Sequence, residues 1–406
     1  MTSDGRLLFV TRFARLFAYG SLSVVLVLYL TGLGLTEAQA GVLFTLTLFG
    51  DTAVSLYLTT RADRFGRRRT LIIGAALMAA AGLAFAATRN FFFLVLAGTI
   101  GVISPSGGEV GPFLSIEQAA LAHIVPDRSR TEVFAWYALA GSLAAALGSL
   151  AGGLLTSALQ KSAVAPVASY RAIVALYAAI GLILALLFAR LSAAAEVGAA
   201  AAPASPQKTF FGVGASRDIV LKLSALFAVD SFSGGFVMQS FAVYWFYLRF
   251  GANPATLGVI FFWANLFAGL SALLASRIAA RFGLVNTMVF THLPSNVLLI
   301  LVPLMPNLPL AVALLLLRFS ISQMDVPTRQ SYTMAVVRPE ERSAAGGITS
   351  VARTVGAALA PVCAGFLFAR PSLINAPFFI AGTLKIVYDL VLYKQFVALQ
   401  PPEEAS

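Results

Sequence analysis

The chain has 406 residues, of which 59% are hydrophobic and only 11% are charged. Soluble domains carry about 25% charged residues and about 45–50% apolar ones, so this composition excludes a water-soluble globular protein and indicates one that spans a bilayer. The net charge of +11 would also suit nucleic-acid binding. However, the basic residues cluster in short segments between apolar runs, where membrane topology accounts for them, and we expect no nucleic-acid partner.

Apolar runs long enough to cross a bilayer recur along the whole chain. A spanning helix needs about 20 apolar residues. Twelve segments meet this rule, and they lie at residues 8–31, 38–60, 70–88, 91–123, 132–157, 170–191, 219–249, 255–278, 286–305, 309–337, 346–369 and 375–397. We therefore predict an all-α membrane protein with twelve transmembrane helices.

Lysine and arginine residues lie mainly on one side of these predicted spans. With the N-terminus inside, 20 of them flank the inner side and 5 flank the outer side. The densest cluster places five arginines in the loop at 61–70. Because positive loops stay on the cytoplasmic side, we predict a multi-pass protein of the plasma (cell inner) membrane with both termini in the cytoplasm.

The sequence echoes itself between its two halves. The Arg-Phe-Gly triplet at 64–66 recurs at 281–283, 217 residues later. A stretch rich in Ala, Pro, Ser and Gly separates the halves. We predict a six-helix half at 1–191, a cytoplasmic linker at 192–217 and a second six-helix half at 218–406, related by pseudo-symmetry.

The loop between spans 2 and 3 carries a recognisable motif. Its members are Gly50, Asp63, Arg64, Gly66, Arg67 and Arg68. In order and spacing they resemble the signature of the major facilitator superfamily, although Thr59 stands where the signature has a second glycine. The resemblance extends over essentially the whole chain and implies transport by alternating access. It also implies that this loop acts as a cytoplasmic gate; the alternative is that the loop only sets the topology.

Small residues in span 5 resemble a motif of the superfamily's exporters. Gly148, Gly152 and Gly153 match that motif, and a shift of 212 residues places its echo at Pro361 and Gly365 in span 11. Small side chains let helix backbones approach closely in a membrane. The resemblance favours export over import, but ordinary helix packing explains the same pattern.

Four carboxylates at membrane depth are candidates for proton coupling: Asp51, Glu109, Asp230 and Asp325. Ionisable groups inside a bilayer are costly and face cavities or partners. A carboxylate held in a low dielectric has a raised pKa and can exchange a proton near neutral pH. The alternative for each of them is a structural ion pair with a basic residue, or a cap on a broken helix.

Spans 4 and 10 are interrupted at matching places, by Gly and Pro at 104–112 and by Pro at 324–327. Broken spans at corresponding positions point to a substrate site. The substrate-site candidates are Tyr19, Glu117, Gln118, Gln239, Arg318, Arg329 and Gln330. Glu117 aligns with Arg329 under the shift of 212, so an acid and a base could form a gate between the halves or cap their own helices.

Arg318, Asp325 and Arg329 lie within about 40° of one helical face. They could clamp an anion, or Asp325 could pair with Arg329 while Arg318 meets a carboxylate elsewhere. Lys385 and Asp389 are four residues apart in span 12 and are expected to pair with each other.

No catalytic motif accompanies these features. His123 and His292 stand alone, and the single cysteine, Cys363, excludes an intrachain disulfide and a thiolate metal cluster. We expect no enzyme activity, cofactor or metal site. The leading hypothesis is proton-coupled efflux of a small organic or toxic compound by a monomer whose partners are the bilayer, the solute and protons. The alternatives are an organic-anion symporter or exchanger and, third, a membrane sensor or lipid-handling protein.

Overall fold

The computed structural model of the protein describes residues 2–192, 195–196 and 213–399. In these ranges the chain forms α-helices joined by turns and by short 3-10 segments. The α-helices are α1 (Ser3–Gly32), α2 (Glu37–Phe65), α3 (Arg67–Ala87), α4 (Phe91–Ile100), α5 (Phe113–Ile124), α6 (Asp127–Lys161), α7 (Pro166–Phe188), α8 (Arg217–Gly235), α9 (Gln239–Phe250), α10 (Pro254–Phe282), α11 (Leu284–Leu301), α12 (Leu308–Phe319), α13 (Asp325–Ala335), α14 (Arg342–Phe368) and α15 (Ala376–Phe396).

The predicted all-α membrane fold with twelve transmembrane helices is confirmed. Among the residues that the structure describes, ten helical segments are long and apolar enough to cross a membrane. Two shorter apolar helices, at 91–100 and 308–319, supply the first parts of spans 4 and 10. Backbone hydrogen bonds inside each helix satisfy the polar groups that lipid cannot.

Contacts divide the chain into two compact units. The first unit is Met1–Ala202 with Met238–Leu266, and the second unit is Pro203–Val237 with Phe267–Ser406. Span 7 was expected as one helix, but α8 ends at Gly235 and α9 begins at Gln239, so the two parts belong to different units. The boundaries predicted for the linker and the two halves stay a prediction, because most of 192–217 lies outside the described residues.

Spans 4 and 10 are broken as their sequences indicate. Residues 101–112 separate α4 from α5, and residues 320–324 separate α12 from α13. Within the first break, Gly107 and Gly111 adopt φ values of +69° and +81°, which other residues rarely adopt. Pro112 then directly precedes α5. The two glycines permit a non-helical backbone within the break, and Pro112 lies at the start of the next helix, where its missing N–H group is not needed.

Two glycines of span 5 hold α6 directly against α1. A Cβ on Gly148 would lie 2.1 Å from the carbonyl oxygen of Phe17, and a Cβ on Gly152 would lie 2.7 Å from that of Ser21. In the second unit the corresponding contact is made by Gly356, where a Cβ would lie 2.2 Å from the carbonyl oxygen of Ala228. Only glycine fits at such distances.

The register of this packing echo differs from the predicted one. The contact glycine of α14 is Gly356, 208 residues after Gly148 and one helical turn before the position that the shift of 212 indicated. Pro361 lies inside α14, after that close contact. The packing role of Pro361 and Gly365 stays a prediction; sequence similarity between Gly/Ala-rich helices does not distinguish registers four residues apart.

A carboxylate caps α3 at the motif between spans 2 and 3. Gly66, with φ +95°, connects α2 to α3. Glu196 accepts hydrogen bonds from the backbone N–H groups of Arg67 at 2.7 Å and Arg68 at 3.0 Å. This negative charge satisfies the unpaired N–H groups at a helix N-terminus. The side chains of Asp63 and Arg64 lie outside the described part of the structure.

Glu341 performs the same task for α8 in the second unit. Its carboxylate accepts hydrogen bonds from the backbone N–H groups of Gly214 at 2.6 Å, Ala215 at 2.9 Å and Ser216 at 3.0 Å. The hydroxyl of Ser216 and then the N–H of Gly214 lower the pKa of Glu341 to about 2. The start of α8 is thereby tied to the segment between α13 and α14.

We predict that Gly148→Ala destabilises the first unit, because its new methyl group would overlap the backbone of α1. Overpacking of this kind typically costs about 1–3 kcal/mol. The matched control is Gly347→Ala in α14, where no atom lies within 4 Å of an added Cβ. Apparent melting temperatures of the purified proteins in detergent measure the effect. Equal melting temperatures for the two variants would contradict the close approach of α6 and α1.

We predict that Glu341→Gln removes a pH-dependent part of the stability. The pKa of Glu341 lies below its ordinary value of 4.5, so its contribution is fully present above pH 4.5 and is lost as the pH falls towards 2. The melting temperature of the variant should lie below that of the parent at pH 7, and the difference should shrink below pH 4.5. The exposed neighbour Glu340, changed to Gln, is the control. A constant difference at all pH values would rule out the capping role.

Candidate functional site

A buried ion pair joins the first span to the fourth in the first unit. Arg15 of α1 is fully buried, with 0% of its surface exposed. Its Nη1 and Nη2 atoms donate to the two carboxylate oxygens of Glu117 in α5, each at 2.7 Å. Nη2 also donates to Glu109 at 2.6 Å. The planar guanidinium thus meets one carboxylate in two parallel hydrogen bonds and links it to a second.

Neighbouring groups complete this first-unit cluster. The Tyr137 hydroxyl donates to Glu117 at 2.5 Å, and Arg12 lies 3.4 Å from Glu109. The Arg15 guanidinium stands 4.5 Å from the centre of the Phe113 ring. Two arginines therefore face two glutamates, so the cluster is balanced in charge. Balance is what allows four ionised groups to stay inside a low-dielectric region.

Asp51 of α2 differs from these carboxylates. It is only 9% exposed, and its Oδ1 accepts hydrogen bonds from the backbone N–H of Gly111 at 2.7 Å and from the Ser55 hydroxyl at 3.4 Å. No cation pairs with it in the described ranges of the chain. Of the four carboxylates predicted for proton coupling, the other three have an arginine or lysine partner.

The break in span 4 exposes backbone carbonyls, and hydroxyl groups satisfy them. Tyr19 donates to Val110 O at 3.3 Å, and Tyr177 donates to Val102 O at 2.5 Å. Ser240, in the first turn of α9, donates to Pro105 O at 2.5 Å. The broken segment is therefore held in one conformation by side chains that sequence reasoning could not assign to it.

Gln239 forms a polar cluster next to this break. Its amide nitrogen donates to the hydroxyls of Ser23 at 2.7 Å and Ser149 at 3.1 Å. Asn265 donates to the Gln239 oxygen at 3.0 Å. A Cβ on Gly107 would lie 2.8 Å from the Ser23 hydroxyl oxygen, so the break itself borders the cluster.

In the second unit, Asp230 of α8 is the centre of a buried charge network. Its two oxygens accept from Lys385 of α15 at 2.5 Å and from Arg329 of α13 at 2.9 Å. Arg329 also lies 3.3 Å from Asp325, four residues before it. The predicted pairing of Asp325 with Arg329 is therefore present, and Asp230 follows the ion-pair alternative instead of standing free.

His292 and Asp389 form a second contact in this network, against expectation. His292 Nδ1 lies 2.8 Å from Asp389, and Asn296 donates to the other oxygen of Asp389 at 2.9 Å. The predicted pair of Lys385 with Asp389 is wrong, because Lys385 reaches Asp230 instead. The expectation that His292 stands alone is also wrong. A spacing of four residues would allow Lys385 and Asp389 to pair, but each of them contacts a residue on another helix instead.

The gate suggested between Glu117 and Arg329 stays a prediction. Among the described residues, the hydrogen-bond and ion-pair partners of Glu117 belong to the first unit, and those of Arg329 belong to the second. Neither residue caps its own helix. Gln118 and Gln330, predicted beside them, are exposed.

Two further glycines, Gly50 from the motif between spans 2 and 3 and Gly153 from the span 5 motif, also pack helices together. Gly50 packs α2 on α4, because a Cβ there would lie 1.9 Å from the carbonyl oxygen of Thr99. Gly153 packs α6 on α10, where a Cβ would lie 2.3 Å from the carbonyl oxygen of Pro254. Whether the loop at 61–70 acts as a gate stays a prediction.

Arg318 of α12 is buried without a carboxylate in direct contact. It is 8% exposed, its Nε has no hydrogen-bond partner, and no described carboxylate lies within 4 Å of it. Asp325 and Asp230 attract it from beyond that distance. Its guanidinium lies 5.0 Å from the centre of the Phe319 ring. The suggested ion pair with a carboxylate elsewhere is therefore not formed among the described residues.

Sequence reasoning missed several residues of these networks. Arg12 and Arg15 were counted only among the basic residues flanking the inner side, yet both are buried. The count of basic residues on the two sides of the predicted spans nevertheless contains a usable signal. Three basic residues belong to neither flank of the predicted spans, which marks them as cations within the membrane: Arg318, Arg353 and Lys385.

Comparison with known proteins places the chain in a family. A family model described as Major Facilitator Superfamily matches residues 8–249 and 223–405. The chain is 32% identical to membrane protein YJR124C of Saccharomyces cerevisiae, over 98% of this chain and 94% of that protein. It is 28% identical, over 29% of this chain and 28% of that protein, to a Na⁺, Li⁺, K⁺/H⁺ antiporter of Planococcus maritimus.

Solved structures agree with this assignment at the level of the fold. The crystal structure of the nucleoside transporter NupG matches with a TM-score of 0.73 and 16% identity. The match covers 97% of this chain and 99% of that one. The resemblance in the loop at 61–70 and across the spans is therefore confirmed, and the chain belongs to the major facilitator superfamily of membrane transporters.

Proposed function

We propose that the protein is a proton-coupled exporter that moves a small organic or toxic compound by alternating access. Membership of a transporter superfamily supports solute transport. The partial similarity to a cation/proton antiporter supports exchange against protons. In this proposal the protein works as a monomer in the plasma membrane with both termini in the cytoplasm, as the excess of inner basic residues favours.

The observation that carries the proposal is Asp51, a buried carboxylate without a cationic partner. Protonating Asp230 would remove the carboxylate partner of Lys385 and leave Arg329 with Asp325 alone, and protonating Glu117 would leave Arg15 with Glu109 alone. Breaking a buried pair in this way is strongly unfavourable. Asp51 has no cationic partner among the described residues, so its protonation leaves no positive charge unpaired. It is therefore the candidate best suited to carry a proton.

The hydrogen bond between Asp51 and Gly111 links proton uptake to a conformational change of span 4. Gly111 lies in the break of span 4, and its N–H donates to Asp51 at 2.7 Å. An ionised carboxylate accepts a stronger hydrogen bond than a neutral one. Proton uptake therefore weakens the hold of α2 on the broken segment. That segment is the part of span 4 best able to change conformation.

We predict that Asp51→Asn abolishes solute-evoked proton movement. The amide keeps the shape and a hydrogen-bond acceptor but cannot exchange a proton, so the flux should fall at least about tenfold, as for loss of a positioned proton-transfer group. The assay is internal pH in proteoliposomes challenged with a panel of cationic, neutral and anionic solutes.

Glu340→Gln, an equivalent change at an exposed site, is the control and should behave as the parent. Unaltered proton movement in Asp51→Asn would refute Asp51 as the coupling group. Absence of any solute flux in the parent would favour the sensor or lipid-handling interpretation.

Arg318 favours a second candidate function, an organic-anion symporter or exchanger. A buried guanidinium with no described carboxylate within 4 Å is costly unless another anion approaches it. A transported anion that passes this position would supply that charge. The shared fold does not decide between the two candidates.

We predict that Arg318→Gln separates them. An anion exchanger should lose at least about tenfold in anion flux, because one tenfold step corresponds to about 1.4 kcal/mol, less than a charged hydrogen bond contributes. An exporter of neutral or cationic compounds should retain its flux. Arg277→Gln, which removes an exposed arginine of α10, is the matched control. Anion flux that survives Arg318→Gln would remove support for the second candidate.

A further inference from the structure

A cavity of about 430 Å³ lies within the second unit. Its walls are α13 and the first half of α14, and Phe227 of α8 closes one side. The α14 residues that line it fall at 346, 349, 350 and 353, a spacing that places them on one face of the helix. Ligand pockets commonly range from about 300 to 1,000 Å³, so this cavity has room for a small molecule.

The ionised groups that line the cavity are all positive. They are Arg329 and Arg353, and no carboxylate is among the described lining residues. Arg329 is 3% exposed and directs Nη1 at Asp230 and Asp325, at 2.9 Å and 3.3 Å. Its Nε, like the Nε of Arg353, is buried without a hydrogen-bond partner. Two buried charged donors therefore lack acceptors, an arrangement that native proteins rarely leave uncompensated.

The charge balance of the second unit points the same way. Away from the ends of the predicted spans, the described part of the second unit has four cations and three carboxylates; the cations are Arg318, Arg329, Arg353 and Lys385, and the carboxylates are Asp230, Asp325 and Asp389. Protonation of His292 would only enlarge the positive surplus. One negative charge is missing, and the cavity is where two of the cations offer free donors.

The rest of the lining defines what kind of anion fits. Phe227 and Met334 give the cavity an apolar wall, and Thr333 and Ser350 supply hydroxyl groups. Phe227 also lies under Arg329, 5.2 Å from its guanidinium carbon. We propose that the cavity binds a small organic anion, a carboxylate or a phosphate monoester, whose charged group accepts from Arg353 and Arg329 and whose apolar part packs on Phe227 and Met334.

The assignment of this anion as cargo rests on the proposed transport function, whereas the binding itself does not. A phosphate group could come from a solute or from a phospholipid headgroup. Both share the chemistry that two arginine donors recognise.

The experiment measures binding to the purified full-length protein in detergent, with no gradient. Probes of similar size but different charge are phenyl phosphate, benzoate, benzyl alcohol and benzylamine. Binding is followed as the rise in apparent melting temperature with probe concentration, because a ligand that binds the folded state stabilises it. The variants are Arg353→Gln and Arg353→Lys, and Arg277→Gln is the control for loss of one positive charge.

We expect phenyl phosphate or benzoate to stabilise the parent while the alcohol and the amine do not. Arg353→Gln should raise the half-saturating concentration at least tenfold, Arg353→Lys should raise it less, and Arg277→Gln should leave it unchanged. Stabilisation by all four probes alike, an unchanged response in Arg353→Gln, or no response to either anion up to about 20 mM would overturn the proposal, since even a site with a Kd near 1 mM is filled there.

A second measurement separates the two sources of the anion. Native mass spectrometry that finds a phospholipid on the parent but not on Arg353→Gln assigns the site to a headgroup phosphate. Probe binding of equal strength in detergent and in phosphatidylcholine nanodiscs assigns it to a solute. Absence of proton flux in the parent protein, together with anion binding that Arg353→Gln weakens, would overturn the proposed proton coupling and still support this binding site.

Discussion

The first unit depends on the paired hydrogen bonds between Arg15 and Glu117. An isolated charge at this depth would cost several kcal/mol even after the protein relaxes, so neither residue could be buried without the other. The pair joins the first span to the part of span 4 that follows the break. Glu109, within the break, reaches the same arginine at 2.6 Å. One guanidinium thus contacts both the broken segment and the helix that follows it.

The second unit solves the same problem with the charges reversed. Its first span carries the acid, Asp230, and its fourth span carries the base, Arg329, at the position that aligns with Glu117. A repeat can keep a buried pair while exchanging its members, because Coulomb attraction does not depend on which helix carries which sign. Among the charged groups that the structure describes at membrane depth, those outside such pairs include Asp51 in the first unit, and Arg318 and Arg353 in the second. They carry the proposed chemistry because the pairs are already satisfied.

The sequence predicts the fold well and the site only in part, for a physical reason. Hydropathy over about 20 residues identifies spans since lipid imposes that length, and Gly and Pro reveal the breaks of spans 4 and 10. Partners on other helices leave no such local trace. Arg15 therefore read as a flanking charge, and Lys385 was assigned to Asp389 although it reaches Asp230. The break in span 7 was not predicted because it contains no proline. Gly234 and Gly235 lie just before it and were the available signal.

The charge of the cargo decides how strongly the proposed exchange is driven. A monoanion that leaves the cell while one proton enters moves two elementary charges in the same electrical direction. Each charge is worth about 2.3 kcal/mol per 100 mV, so an inside-negative potential of about 100 mV would add about 4.6 kcal/mol to the driving force for export. Symport of the same anion with one proton moves no net charge and gains nothing from the potential. An exporter and a symporter with the same arginine-lined cavity would therefore differ in the voltage dependence of transport, even if every contact to the anion is identical.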